Sequence, residues 1–307
     1  MFTIALHENG PLATLEAIAR AEALGVSAAW LTSGTQEQMT VLAVAASQTR
    51  SIRLGTAVVP TWLRHPVVLA QQTAVIEALA PGRFTLGVGP SHAPLMADMY
   101  GIEFTRPLTQ SREYIAVLRQ AFTSGKVDFD GDFFRVHAPA APKSAVPIML
   151  SALREASFAA AGACADGAIA WVCPAPYLAS KARTALEAGA REAGKETPPL
   201  IGHVMLAVCE DEAQVRADAR ERLAIYPRLP FYARMLDEAG DAEGAAGRVS
   251  DRMIDAIVVH GSEDACVEKL RAFKQASTAD QLIASIMVVG RARADGLEAA
   301  MRVVARA

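Results

Sequence analysis

Apolar positions along this chain follow two alternating rhythms. Residues 2–6 form a short run dense enough for a strand covered on both faces, and Leu12, Leu15, Ile18 and Ala19 then recur at helical spacing until Gly25, a residue suited to the position just past a helix end. The same alternation predicts strands at 28–31, 54–59 and 84–88, with a helix through 41–47 and an apolar-periodic run ending at Leu79 between them. After residue 92 the rhythm changes. Arg106-Pro107 opens a helix with the apolar face Tyr114, Ile115, Leu118, Ala121 and Phe122, and residues 127–136 alternate about Asp130-Gly131, a hairpin signal.

Alternation resumes with strands at 146–150, 168–172 and 200–208, and helices at 155–164, 177–193 and 212–225. Residues 254–259 read as a short strand or extended piece, 264–274 as a helix, 282–289 as the eighth strand and 291–306 as a closing helix. The stretch 237–248, rich in Gly, Ala and acid, reads as an exposed, mobile connection. Eight strands with intervening helices predict an α/β chain folded as one (β/α)8 TIM barrel over residues 1–307, with a hairpin-bearing insertion after strand four; an open doubly wound sheet is the alternative.

Composition narrows the partners. A net charge of −3 without any block of like charge disfavours nucleic acid, and no apolar run reaches the roughly 18 residues of a membrane span. The chain opens directly as a strand, with no basic-then-apolar leader, so a cytoplasmic, soluble protein is expected. Cys164, Cys173, Cys209 and Cys266 form no CxxC pair and read as free thiols of a reducing compartment.

Several chemistries are disfavoured by what is missing. His7, His65, His92, His137, His203 and His260 are scattered, and the pair His7-Glu8 is too little for a metal, so none is expected. The lysines fall in loops or on helices, away from strand ends where a Schiff-base lysine would sit. Gly87-Val88-Gly89 lacks the third glycine of a dinucleotide fingerprint, and neither a GxSxG elbow nor a phosphate loop occurs. What remains is a parallel barrel whose strand ends, Thr56-Ala57-Val58 and Gly89-Pro90-Ser91-His92, are placed to meet a small ligand.

Four motifs in order go further: Leu54-Gly-Thr-Ala-Val-Val-Pro with Arg64-His-Pro, Gly82-Arg-Phe-Thr-Leu-Gly-Val-Gly, Asp130-Gly-Asp-Phe-Phe and Ala165-Asp-Gly167. Together they resemble the luciferase-like monooxygenase family, and within it most the branch that uses the deazaflavin coenzyme F420. The resemblance implies a hydride-transferring oxidoreductase with a small-molecule substrate, and a homodimer. FMN-dependent monooxygenation and a non-catalytic flavin- or ligand-binding barrel are the alternatives.

The resemblance also implies roles for residues. Ala57-Val58, with Thr56, takes the place of a non-prolyl cis peptide behind the cofactor ring, and Thr32 and Ser33 stand where a polar side chain meets that ring, though capping helix two would serve them equally. Gly89, Pro90, Ser91 and His92 match the turn at the reactive edge. His92 stands where some relatives carry an acidic proton donor, and imidazole suits general acid work. Ser151, Ala152, Leu153 and Arg154 lead into the helix that holds the cofactor phosphate in the family, but Arg154-Glu155 replaces the usual Gly-Pro. Trp171 and Val172 lie at the mouth of strand six. Trp62, Tyr100 and Tyr226, with Met96 and Phe231, are candidates for a substrate pocket, and Arg64, His65 and Arg106 for a basic rim facing an anionic tail.

Overall fold

The computed structural model describes residues 1–7, 10–34 and 36–307, so Glu8 of the His7-Glu8 pair lies outside the described residues. Its strands in chain order are β1 (Phe2–Leu6), β2 (Ala28–Leu31), β3 (Arg53–Thr56), β4 (Val59–Pro60), β5 (Phe84–Gly89), β6 (Lys126–Asp130), β7 (Arg135–Pro139), β8 (Ile148–Ser151), β9 (Gly167–Ile169), β10 (Leu200–Ala207), β11 (Val258–His260) and β12 (Gln281–Ile286). Parallel pairing runs β1-β2-β3-β5-β8-β9-β10-β12 and returns to β1, closing eight strands into a (β/α)8 barrel and excluding the open sheet. Closure leaves those strands no free edge, and parallel pairing brings every carboxyl end to one rim.

Inside the barrel Ala5, Trp30, Met149, Ile169, Ile201 and Ile283 pack into one layer. Trp30 fits because its register partner across the ladder is Gly55, where a Cβ would come within 2.4 Å of the indole. The indole Nε1 donates to Thr3 Oγ1 at 3.1 Å, so the polar edge of this buried ring is satisfied. The larger core lies outside the strands, under the helices. Four helices begin with Pro at their first position (Pro11, Pro66, Pro107, Pro230), where the missing N–H costs nothing.

The expected insertion is present. The helix Pro107–Ser124 buries Tyr114, Ile115, Leu118, Ala121 and Phe122, and β6 and β7 form an antiparallel hairpin beside it. The Glu113 carboxylate accepts from the amides of Asp132, Phe133 and Phe134 at 2.8–3.2 Å, pinning the hairpin turn to the helix.

Two expectations are corrected. Residues 254–259 are mostly the end of a helix, Asp251–Ile257, started by the Ser250 side chain accepting from Met253 N at 2.8 Å; only Val258–His260 is strand, added to β10. The acid-rich stretch 237–248 is largely exposed, as expected, but it is not an irregular connection: it ends the helix Pro230–Glu238 and contains the helix Ala242–Ala245, and Asp241 is buried, accepting from Gly244 N at 3.0 Å and Ser250 Oγ at 2.6 Å. Acidic composition fits the solvated side chains, while one buried cap at Asp241 anchors the segment as helix and turn. Among the described residues the four cysteines are free, and no helix is long and apolar enough to cross a membrane.

A Cβ at Gly87 would lie 2.0 Å from the backbone oxygen of Thr56, an atom that cannot move without opening the barrel. Gly87→Ala is therefore expected to cost about 1–3 kcal/mol, the usual range for overpacking; a urea unfolding curve superimposable on wild type would contradict this.

Candidate functional site

The site begins at a break in the barrel wall. β3 pairs with β5 through Leu54↔Phe84 and Gly55↔Thr85, and the ladder resumes on β4 at Val59↔Val88. Three residues, Thr56 to Val58, thus oppose two, Leu86 and Gly87, which is a bulge of one extra residue. The Ala57–Val58 peptide within it is cis. Side chains replace the lost ladder bonds: Thr56 Oγ1 donates to Gly87 O at 2.8 Å and accepts from Gly87 N at 2.9 Å. Ser33 Oγ donates to Val58 O at 2.6 Å, fixing the far side of the bulge. The cap of helix Gln38–Gln48 is instead Glu37, whose carboxylate accepts from Met39 N and Thr40 N, so neither Thr32 nor Ser33 has that bland role.

Above the bulge opens a cleft of about 810 Å³ at the carboxyl rim. Of the residues singled out in the sequence, it is lined by Thr32, Ser33, Ala57, Val58, Pro90, Ser91, His92, Ser151, Ala152, Leu153, Arg154, Trp171, Tyr226 and Phe231. Thr56, Gly89 and Val172 lie behind this surface, all buried. Val172 and Ser91 have left-handed backbone, φ 57° and 63°, which is costly for a side-chain-bearing residue and especially for a β-branched one. Each adjoins a lining ring, Trp171 and His92.

Three candidates fall elsewhere. Trp62 packs on Phe104 and Phe133 (ring centroids 5.4 and 5.7 Å) in the insertion, Tyr100 is half-exposed at the end of its helix, and Met96 is buried beneath that helix. The proposed basic rim also lies off the cleft. Arg64 is paired with Glu37 at 2.6 Å and Arg106 with Asp132 at 2.7 Å; neither they nor His65 line it. The arginines that do are Arg154, Arg222 and Arg293, and among the described residues no Asp or Glu lines the cleft.

The turn into helix Glu155–Cys164 is largely self-satisfied. Ser157 Oγ accepts from the amides of Leu153 and Arg154 at 3.0 and 3.1 Å, and Glu155 pairs with Lys181 at 3.0 Å. Arg154 reaches Glu238 at 2.6 Å, while its buried Nε has no partner. Burial pushes the Glu238 carboxyl upward, but the Arg154 bond and the Tyr177 hydroxyl outweigh it and hold the group below the ordinary carboxylate range.

One wall is a chain of rings. His203 meets Trp171 edge-on at 5.1 Å, Trp171 meets Tyr226 at 5.8 Å, Tyr226 meets Tyr232 at 5.1 Å, and Tyr232 meets His92 at 5.5 Å. Burial lowers the pKa of both histidines, that of His203 to about 3, so each is neutral at pH 7. In its neutral form His92 offers a proton acceptor and an N–H donor at the cleft surface. His203, Tyr232, Arg222 and Arg293 were not singled out in the sequence. A lone polar residue inside the otherwise apolar strand 200–208 was the available signal for His203. Among the described residues, no cluster of three or more His, Cys, Asp or Glu could hold a metal.

The family model described as luciferase-like monooxygenase matches residues 3–281. The 5,10-methylenetetrahydromethanopterin reductase of Methanolobus tindarius is 28% identical over 272 residues, covering 81% of this chain and 83% of its own. Among solved structures, an F420-dependent secondary alcohol dehydrogenase in complex with an F420-acetone adduct superposes with a TM-score of 0.81 at 20% identity, over 100% of this chain and 99% of that one. The monooxygenase RslO1 from Streptomyces bottropensis gives 0.75 at 20% identity, over 99% and 97%.

His203 makes acid stability testable. Its folded-state pKa of about 3 lies below the ordinary 6.5, so the unfolded chain binds the proton first and stability falls as pH drops through that window. From pH 7 to pH 5 the loss attributable to this residue is about 2 kcal/mol. Urea unfolding of His203→Phe should show a pH 7-to-5 loss smaller by that amount; an equal loss in variant and wild type would refute the assignment.

Proposed function

Because the chain belongs to the luciferase-like monooxygenase family, we propose that it is an F420-dependent oxidoreductase acting on a small organic hydroxyl or carbonyl compound. The observation that carries this reading is the cleft itself: an apolar shelf at Ala57 and Val58 on one side, and, among the described residues, a rim whose charged side chains are Arg154, Arg222 and Arg293. The coenzyme named for the secondary alcohol dehydrogenase joins a flat tricyclic ring to an acidic tail, and both halves find complementary surface here. Volume agrees, since about 810 Å³ lies within the range of cofactor sites.

When bound, F420 supplies a ring carbon that exchanges a hydride with the substrate. The protein's own part is placement and proton handling. Ala57 and Val58 form the shelf for the ring, held by the Ser33 bond to Val58 O. Arg154, Arg222 and Arg293 attract the tail, with Arg154 partly neutralised by Glu238. His92, neutral at pH 7, accepts the hydroxyl proton as an alcohol becomes a carbonyl, and returns it in the reverse direction. The half-buried cleft limits water at the reacting carbon, because its lining is mostly apolar and aromatic.

Titration with F420 should quench its fluorescence with saturation, and FMN should compete poorly; tight FMN binding with none of F420 would favour a monooxygenase instead. Arg222→Glu is expected to weaken F420 by roughly tenfold at low salt, with a smaller gap at high salt. His92→Gln should lower kcat by about 10²–10⁴. In the wild type, kcat/KM for alcohol oxidation should fall as pH drops through a value below 6.5, and a variant that keeps both rate and profile would remove His92 from proton transfer.

A further inference from the structure

On β10 the alternate residues Ile201, His203 and Met205 point into the barrel. Ile201 belongs to the inner apolar layer, and His203 and Met205 line the cleft above it. His203 is 3% exposed, yet neither Nδ1 nor Nε2 has a hydrogen-bond partner. A buried imidazole with both nitrogens unused forgoes what water would give it, at about 1–3 kcal/mol per unsatisfied group. Such a residue persists in a cleft when a ligand supplies the missing partner.

Its position says which ligand. Around the closed barrel, β10 lies four strands from β3 in either direction, so His203 faces the Ala57–Val58 bulge from across the cleft. Under the reading above, which this inference rests on and deepens, the cofactor ring occupies the bulge side. The space on the His203 side is then the substrate's. Its wall is the run of rings from His203 through Trp171, Tyr226 and Tyr232 to His92.

We propose that His203 is a specificity-determining residue that hydrogen-bonds an uncharged oxygen of the substrate, and that the substrate carries that oxygen on an aromatic or alicyclic body. The rings offer flat apolar area to such a body. A neutral, desolvated imidazole offers one donor and one acceptor, matching a hydroxyl or carbonyl, and it has no charge to balance a carboxylate. A site built around one buried polar group discriminates against the analogue that lacks its partner, because the group is then left unsatisfied.

The test uses F420-saturated protein and three probes of similar shape: acetophenone, ethylbenzene and benzoate. Calorimetry on the wild type should show acetophenone bound on the order of tenfold more tightly than ethylbenzene, and benzoate weaker than acetophenone. His203→Phe should erase the preference for acetophenone, and His203→Gln should restore part of it, while F420 affinity, read by fluorescence quenching, stays at the wild-type value in both. A preference that survives in His203→Phe overturns the proposal, as does benzoate binding best or a wild type that binds F420 and none of the probes. A fall in F420 affinity in both variants would place His203 against the cofactor and likewise overturn it. Absence of F420 binding to the wild type would instead refute the cofactor assignment itself.

Discussion

The bulge between β3 and β5 is the constraint on which the rest of the site depends. A closed parallel barrel satisfies its backbone groups through continuous ladders, and one extra residue on one strand must either be compensated or unravel the wall. Here Thr56 compensates by both donating to and accepting from Gly87, and Ser33 takes up the carbonyl of Val58. Compensation from behind leaves the front of the bulge, Ala57 and Val58, as bare apolar surface over the packed layer of Trp30, Met149 and Ile169. A shelf of this kind suits a flat ring because it offers area without competing hydrogen bonds.

Electrostatics around the shelf follow from exclusion more than from accumulation. The chain as a whole is slightly acidic, at −3, yet among the described residues no carboxylate lines the cleft. Glu155 is drawn to Lys181, and Glu37 to Arg64, while Glu238 meets Arg154 from behind. Among the described residues the charged side chains lining the cleft are arginines, opposite in sign to the net charge of the protein. In a partly desolvated cavity such an imbalance is felt more strongly than on the open surface.

Burial then sets the state of His92 and His203, two of the three histidines that line the cleft. Among the described residues neither has a carboxylate beside it to stabilise an imidazolium, and desolvation lowers the pKa of both, so both are neutral at pH 7. Joined by Trp171, Tyr226 and Tyr232, they end one continuous aromatic wall, drawn from β10, the loop after β9, the segment 226–232 and the loop after β5. Four separated parts of the chain meet there only because barrel closure brings their strand ends to a common rim.

How much of this was legible in the residues divides by range. The alternation of apolar runs determined the eight strands, the insertion and even the helix Glu155–Cys164, because burial on both faces of a strand or one face of a helix leaves a periodic mark. Motif order pointed to the cleft-lining turns at Ala57-Val58 and at Ser91-His92. The misreadings have a common cause. Composition made 237–248 look like an irregular connection although a buried aspartate anchors it as helix and turn, and Arg64 and Trp62 were placed beside the ligand when their side chains turn to Glu37 and to the insertion's aromatics. Which arginines face the cleft, that His92 is neutral, and that His203 stands opposite the bulge were decided by tertiary structure alone, since charge pairing and desolvation depend on neighbours dozens of residues away and leave no periodicity in the chain.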